Sequence, residues 1–341
     1  MLNPARTPFG AIFYNVDTLY HDPESMHTLR PPSFEVQLEQ PERREKVSLP
    51  EVATANEGGR ANFAKLRAAL GVEFRLLRAE RSLVVIMPLA IFLSVLELAF
   101  YEVPPDISYT AAYASSTAKS LLLFLYGLTV FYTGEAIQRD REVRIEPLLW
   151  SAPAANYVSL VSKFLAPVVL GLSLLALSVL AAIALQIYKG HTPVEFSAYL
   201  LVYSLILIPS LFFIAAASVL LNVSLRDKYL AYAVSIAIGG GLFYLYKQGY
   251  NHWSYNPVLY QLWTYADLTG AGSNGARILT HRIYFLAIAC ASLALAHLFH
   301  QRRATKGFRV NARLGSASWS ILVAAVSVVV AVVAGFVLVR L

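Results

Sequence analysis

Seven apolar stretches of about twenty residues each constrain the fold of this chain more than any other feature. Within a few residues at each end they cover 82–101, 118–136, 164–187, 197–221, 229–247, 282–300 and 319–339. A bilayer core about 30 Å thick is crossed by roughly 20 apolar residues in a helix, and backbone amides in lipid must be satisfied within that helix. The sequence therefore predicts an all-α polytopic membrane protein with about seven transmembrane helices.

Composition agrees with this fold class and limits the partners. The chain is 57% hydrophobic and 14% charged, whereas soluble domains are about 25% charged. Its net charge of +7 is explained without a nucleic acid partner, because basic residues are enriched at the cytoplasmic face of membrane proteins. Membrane lipids are the expected surroundings. The first thirty residues contain no apolar run, so we expect the spans themselves to direct insertion.

The distribution of basic residues between the spans predicts the orientation. One set of connections holds sixteen basic residues, namely Arg60, Lys65, Arg67, Arg75, Arg78, Arg81, Arg139, Arg141, Arg144, Arg226, Lys228, Arg302, Arg303, Lys306, Arg309 and Arg313. The alternate set holds six, namely Lys119, Lys189, Lys247, Arg277, Arg282 and Arg340. The positive-inside rule then places the N-terminus in the cytoplasm and the C-terminus outside. We expect a plasma membrane, such as a bacterial inner membrane.

The segment before the first span divides into two parts. Residues 1–59 are rich in proline and glycine, which predicts a loosely ordered cytoplasmic tail. Residues 60–81 place apolar side chains at three- and four-residue steps, and these are Phe63, Leu66, Leu70, Phe74 and Leu77. This spacing predicts a basic amphipathic helix at the inner membrane surface. An ordinary flank of the first span is the alternative.

The densest mixed-charge segment lies between the second and third spans, in YTGEAIQRDREVRIEPLLWSAP over 132–153. Glu135 with Arg139 and Asp140 with Arg144 have the spacing of helical ion pairs. Pro147 predicts that the helix ends near Arg144. We expect a short charged helix, a break and an apolar return toward the bilayer. Such a segment is suited to binding a cytoplasmic partner, and a solvated loop is the alternative.

This order of features resembles the permease subunit of ABC-2 type exporters. The matching residues are Gly134, Glu135, Arg139, Asp140, Arg141, Glu142, Leu148, Leu149, Pro153 and Lys163. A later aromatic stretch, YNPVLYQLWTYADLTGAG, resembles the branch of that family often linked to M1-type peptidases. The resemblance implies a six-helix ABC-2 type core over 82–303. A basic loop and a C-terminal span over 304–341 would follow it.

The resemblance also implies which parts are supplied by other subunits. The chain has neither the H-E-x-x-H of the peptidase nor a G-x-x-x-x-G-K-[ST] phosphate loop, so we expect no enzyme activity and no cofactor in this chain. ATP and magnesium would be bound by cytoplasmic ABC ATPase subunits, and a second copy or a sibling permease would complete the exporter. The charged run would couple to the ATPase through Glu135, Arg139, Asp140, Arg141, Glu142 and Arg144.

One acidic residue inside a span is a separate candidate. Glu97 lies in the outer half of the first span, where an acid is a functional candidate by default, although its nearness to the span's end also suits simple contact with water. No catalytic or metal-binding arrangement is predicted. Two other functions stay open for the whole chain, a non-transporting anchoring subunit of a larger membrane complex and a secondary transporter.

Overall fold

The computed structural model describes residues 59–100, 108–144, 155–225, 227–258, 275–300 and 314–340. The predicted tail over 1–59, except its last residue, and most of the basic loop that begins at 304 lie outside these residues. The helices are α1 Gly59–Ala79, α2 Arg81–Ala99, α3 Tyr109–Glu142, α4 Asn156–Tyr188, α5 Phe196–Val202, α6 Ile208–Leu225, α7 Lys228–Lys247, α8 Gly275–Phe299 and α9 Leu314–Arg340.

The predicted all-α polytopic fold is confirmed. Within the described ranges, seven helical segments are long and apolar enough to cross a membrane. They are α2, α3, α4, the joined α5 and α6, α7, α8 and α9. A π-helical turn over Tyr203–Leu207 connects α5 to α6, so that the fourth span is one helical rod of mixed geometry.

Three of the spans extend by seven or more residues beyond their predicted apolar stretches. α3 begins nine residues before 118 and ends six residues after 136, α4 begins eight residues before 164, and α8 begins seven residues before 282. The first turns of α3 are polar, yet several of their hydroxyls are hydrogen-bonded, either within the helix or, for Thr110, to neighbouring segments. Thr117 Oγ1 donates to the carbonyl of Tyr113 at 2.7 Å, and Ser108 caps the N-terminus through Ala111 N. Satisfied polar side chains therefore extend the helix beyond the hydropathy signal.

The predicted amphipathic helix over 60–81 is present as α1, and its placement at a membrane surface stays a prediction. α1 packs along α4. Leu66, Leu70 and Phe74 are partly buried, and Leu77 is almost fully buried. Phe63, which the spacing placed on the same face, is 69% exposed. The buried face of α1 also includes an acidic residue, Glu73.

α3 is the centre of the bundle. It contacts α2, α4, α5, α6 and α7, and it is the span with the largest buried share. By contrast, α9 makes its main contact with α8, and α7 makes its main contacts with α3 and α6. A movement of α3 would therefore displace most of the other spans. α7 and α9 contact fewer helices and lie at the periphery of the bundle.

Two tyrosine–glycine contacts hold α7 against α3. The ring of Tyr232 on α7 lies over Gly134 of α3, and the ring of Tyr126 on α3 lies over Gly239 of α7. A Cβ atom at either glycine would overlap the facing ring. Glycine is thus required at both positions for the close approach of the two helices.

Candidate functional site

Four charged side chains from three helices form a buried cluster at one end of the bundle, which we term the buried quartet. Arg139 of α3 pairs with Glu73 of α1 at 2.6 Å. Lys163 of α4 pairs with Asp140 of α3 at 2.6 Å and with Glu73 at 3.4 Å, and it also donates to the carbonyl of Ala136. The four side chains are between 5% and 18% exposed. Two acids and two bases therefore balance each other away from water.

A second group of charges connects α3 to α7. The ammonium of Lys228, the first residue of α7, lies 2.8 Å from Glu135 and 3.1 Å from Glu142. Tyr232 also donates a hydrogen bond to Glu135 at 3.3 Å. The Glu142 side chain is 52% exposed, so this group is more open to solvent than the buried quartet. Both groups together define the charged end of the bundle.

The prediction of ion pairs between helical neighbours within the charged run is wrong. Glu135 pairs with Lys228 instead of Arg139, and Asp140 pairs with Lys163 instead of Arg144. The physical reason is that neighbouring helices present opposite charges in a partly desolvated place. An ion pair there is stronger than one along an exposed helix face. The expectation of a separate short charged helix is also wrong, because the charges up to Glu142 continue the second span.

The predicted end of this helix near Arg144 is confirmed. The last helical residue is Glu142, and the amide of Val143 bonds back to the carbonyl of Arg139 at 2.9 Å. Arg144 then takes a left-handed backbone conformation with φ of 57°, which turns the chain out of the helix. The following apolar step, 145–150, lies outside the described residues.

The six predicted coupling residues divide into two sets by burial. Glu135, Arg139 and Asp140 are engaged with other helices, as described above. The second set, which we term the tip, consists of Arg141, Glu142 and Arg144. Arg141 donates to the side chain of Gln138 at 3.0 Å, whereas Glu142 and Arg144 are exposed. Of these six residues, Glu142 and Arg144 of the tip present charge to solvent, and the buried set connects the tip to the rest of the protein.

Two partners at the charged end were not predicted as site residues. Glu73 has a detectable signal, because Leu66, Leu70, Glu73 and Leu77 follow a helical spacing that places a carboxylate on an apolar face. An acid on such a face indicates a basic partner on the opposing helix. Lys228 was counted only among the basic loop residues. Its partners on α3 depend on how α7 packs against α3, and the sequence alone does not give that packing.

Glu97 lies far from the charged end. It is the third residue from the end of α2, its side chain is exposed, and it accepts a hydrogen bond from Ser120 of α3. An exposed carboxylate at a helix end suits contact with the polar boundary of a membrane. Its functional role stays a prediction.

A hydrogen-bond network at the opposite end of the bundle was not predicted either. Gln186 of α4 is fully buried and donates to Thr110 at 2.7 Å and to the carbonyl of His191 at 3.0 Å. Tyr199 of α5 donates to Gln186 at 3.3 Å, and Tyr113 shares a hydrogen bond of 2.9 Å with His191. These contacts fix α3, α4 and α5 to one another. The bundle is therefore connected by polar groups at both ends.

Comparisons with known proteins do not identify a family. No protein-family model matches the chain, and no curated protein matches it. The resemblance to ABC-2 type permeases thus depends on the order of motifs along the sequence.

Proposed function

We propose that this chain is the permease subunit of an ABC-2 type exporter, which moves a substrate across the membrane with ATP hydrolysed by a separate ATPase subunit. The observation that carries the proposal is the charged end of α3. One continuous helix connects the central span to the tip, and ion pairs join that helix to three others.

The length of α3 makes it suitable as a lever. Its 34 residues correspond to about 50 Å at 1.5 Å per residue. The hydrocarbon core is about 30 Å thick. One or both ends of α3 must therefore extend beyond the hydrocarbon. At the charged end the last residues are ionised and solvent-accessible, which suits a cytoplasmic position for Arg141, Glu142 and Arg144 under the orientation predicted from the basic residues.

The buried quartet supplies the connection between the tip and the spans. Separating Asp140 from Lys163, or Arg139 from Glu73, would leave a charge buried without its partner. Breaking such a pair by removing one member costs about 3–5 kcal/mol. When an ATPase displaces the tip, α1 and α4 therefore move together with the end of α3. Lys228 links α7 to the same end through a more exposed contact.

Transport then follows from a change in the relative stability of two arrangements of the spans. ATP bound by the partner favours one arrangement, and its release favours the other. A second permease copy or a sibling subunit would supply the other half of the pathway. In this proposal the ATPase subunits dock at the tip, and ATP with magnesium is bound in those subunits.

A static anchoring subunit is the second candidate, and the buried quartet favours it too. Ion pairs among α1, α3 and α4 would hold a subunit rigid in a larger assembly as well as they would transmit a movement. The two functions differ in their partner. An exporter permease binds an ATPase that carries a phosphate loop, whereas an anchor binds an assembly without one.

The test is co-purification of the full chain from its own cells in mild detergent, followed by sequencing of the bound proteins. We expect an ATPase with a phosphate loop. Glu142→Arg should weaken its binding at least tenfold and abolish substrate-stimulated ATP hydrolysis, and Arg141→Ala should have a smaller effect of the same sign. Truncating a charge in a desolvated contact costs about 2–5 kcal/mol.

Arg67→Ala is the matched control, because Arg67 is an exposed arginine of α1 that lies six residues, nearly two helical turns, before Glu73. This variant should bind the ATPase normally. Full ATPase binding and turnover in the Glu142→Arg protein would contradict the coupling role of the tip. Recovery of a stable complex that contains no ATPase would support the anchoring subunit.

A further inference from the structure

A groove of about 620 Å³ runs along the contact between α8 and α9. Small side chains form its floor, including Ser292 of α8 and Ala331 and Gly335 of α9. Larger apolar side chains such as Leu295, Val332 and Phe336 form its walls and are exposed. The groove forms because the small residues allow the two helices to pack closely, while the larger side chains project on either side of that contact. Its volume is in the range of ligand pockets.

Both helices that form the groove are spans, so its open side faces the bilayer interior. An acyl chain is the hydrocarbon that is present there. The wall residues match it chemically, since they are almost entirely aliphatic or aromatic over the length of the groove.

One end of the groove has the residues expected at the polar boundary of a membrane. Trp253 and Tyr284 line that end, and their rings lie 3.5–3.6 Å from the Cβ position of Gly335. The guanidinium of Arg340, the last residue of α9, stacks on the Phe336 ring at 4.3 Å from its centroid. Tryptophan, tyrosine and arginine at a span's end commonly contact lipid headgroups.

We infer that this groove is a binding site for an anionic phospholipid. One acyl chain lies between α8 and α9, and the phosphate is held by Arg340, which Phe336 positions above the groove. A zwitterionic lipid with the same acyl chains fills the groove equally well. It gains less from Arg340, because its headgroup carries no net charge. The site would be independent of the coupling proposed for the charged end.

The experiment uses the full chain purified in detergent, with lipid binding measured by native mass spectrometry. The probes are dioleoyl phosphatidylglycerol and dioleoyl phosphatidylcholine, which differ only in the headgroup. We expect phosphatidylglycerol to bind roughly fivefold more tightly, the factor for about 1 kcal/mol per basic residue near an anionic headgroup. Arg340→Gln should remove this difference, and Gly335→Leu, which fills the groove, should weaken the binding of both lipids.

α7 provides a matched control for each variant. Lys247 is the last residue of α7 and lies 5.4 Å from the ring of Phe243, the same kind of cation–aromatic pair at a span's end. Lys247→Gln should leave the lipid preference unchanged. Gly241→Leu adds the same bulk at a glycine with open space around it, and it should leave the affinity for both lipids unchanged.

Several results would overturn the site. Equal affinity for the two lipids would mean that Arg340 does not recognise the anionic headgroup. An equal loss of preference in Arg340→Gln and Lys247→Gln would mean a general attraction to the positive surface. If Gly335→Leu does not fold, Phe336→Ala removes a wall without adding bulk, and unchanged binding of both lipids in that protein would exclude the groove. A change of oligomeric mass in the groove variants without any change in lipid binding would mean that a second copy of the chain covers this face.

Discussion

Lys163 is the residue whose loss should affect stability most at the charged end. Its side chain is 5% exposed. Its ammonium pairs with the carboxylates of Asp140 and Glu73 and donates a hydrogen bond to a backbone carbonyl. Lys163→Met keeps most of the side-chain volume but removes the charge. Asp140 then loses its 2.6 Å partner, while Glu73 keeps Arg139. We therefore expect the free energy of unfolding to fall by about 3–5 kcal/mol, the usual penalty for breaking a buried ion pair.

The matched variant is Lys228→Met, at the more solvent-exposed group of the same end. Lys228 is 18% exposed, and its partners Glu135 and Glu142 are 19% and 52% exposed. Lys163 and its partners Asp140 and Glu73 are less exposed. Water screens an ion pair more as the pair becomes more exposed, so we expect Lys228→Met to cost less stability than Lys163→Met. The double variant Lys163→Met with Asp140→Asn should lose less stability than Lys163→Met alone, because it removes the carboxylate that the single change leaves unpaired.

The assay is the free energy of unfolding in mixed micelles, obtained from a sodium dodecyl sulfate titration followed by far-ultraviolet circular dichroism. The ordering of the three variants is the decisive result. If Lys163→Met stays within about 1 kcal/mol of the unmodified protein, or destabilises it no more than Lys228→Met, the buried quartet does not hold the helices together. A double variant no more stable than Lys163→Met alone would also refute the direct coupling of Lys163 and Asp140.

Two further predictions concern packing and orientation. Gly134→Ala should destabilise the protein by about 1–3 kcal/mol, because the added methyl group overlaps a tyrosine ring of α7 that is held by hydrogen bonds. Gly127→Ala, at a glycine of the same helix with open space around it, should be neutral in the same titration. For orientation, an impermeant maleimide applied to intact cells should label Tyr250→Cys and spare Val143→Cys in a background that carries Cys290→Ala. Both positions are exposed, and the reverse labelling pattern would invert the predicted topology.

The sequence alone determined the fold class and the approximate spans. Apolar stretches near twenty residues have few alternatives in a membrane, because an unpaired backbone amide is costly in hydrocarbon. The helix end near Arg144 was also predictable, since Pro147 disfavours helix at the preceding residue. The full lengths of α3, α4 and α8 were not predictable. Their extra turns contain polar residues, and hydropathy does not register a polar turn whose side chains are satisfied by its neighbours.

The partners of the charged residues were decided only by the tertiary structure. The sequence shows that Glu135, Arg139 and Asp140 lie close together, and local spacing then favours pairs within one helix. The folded bundle brings Glu73, Lys163 and Lys228 to the same end from positions far apart in the chain. Packing removes water from that end, and each charge pairs with the opposite charge that a neighbouring helix presents. Which charges meet therefore depends on how the helices pack, and periodicity within a single helix carries no information about that arrangement.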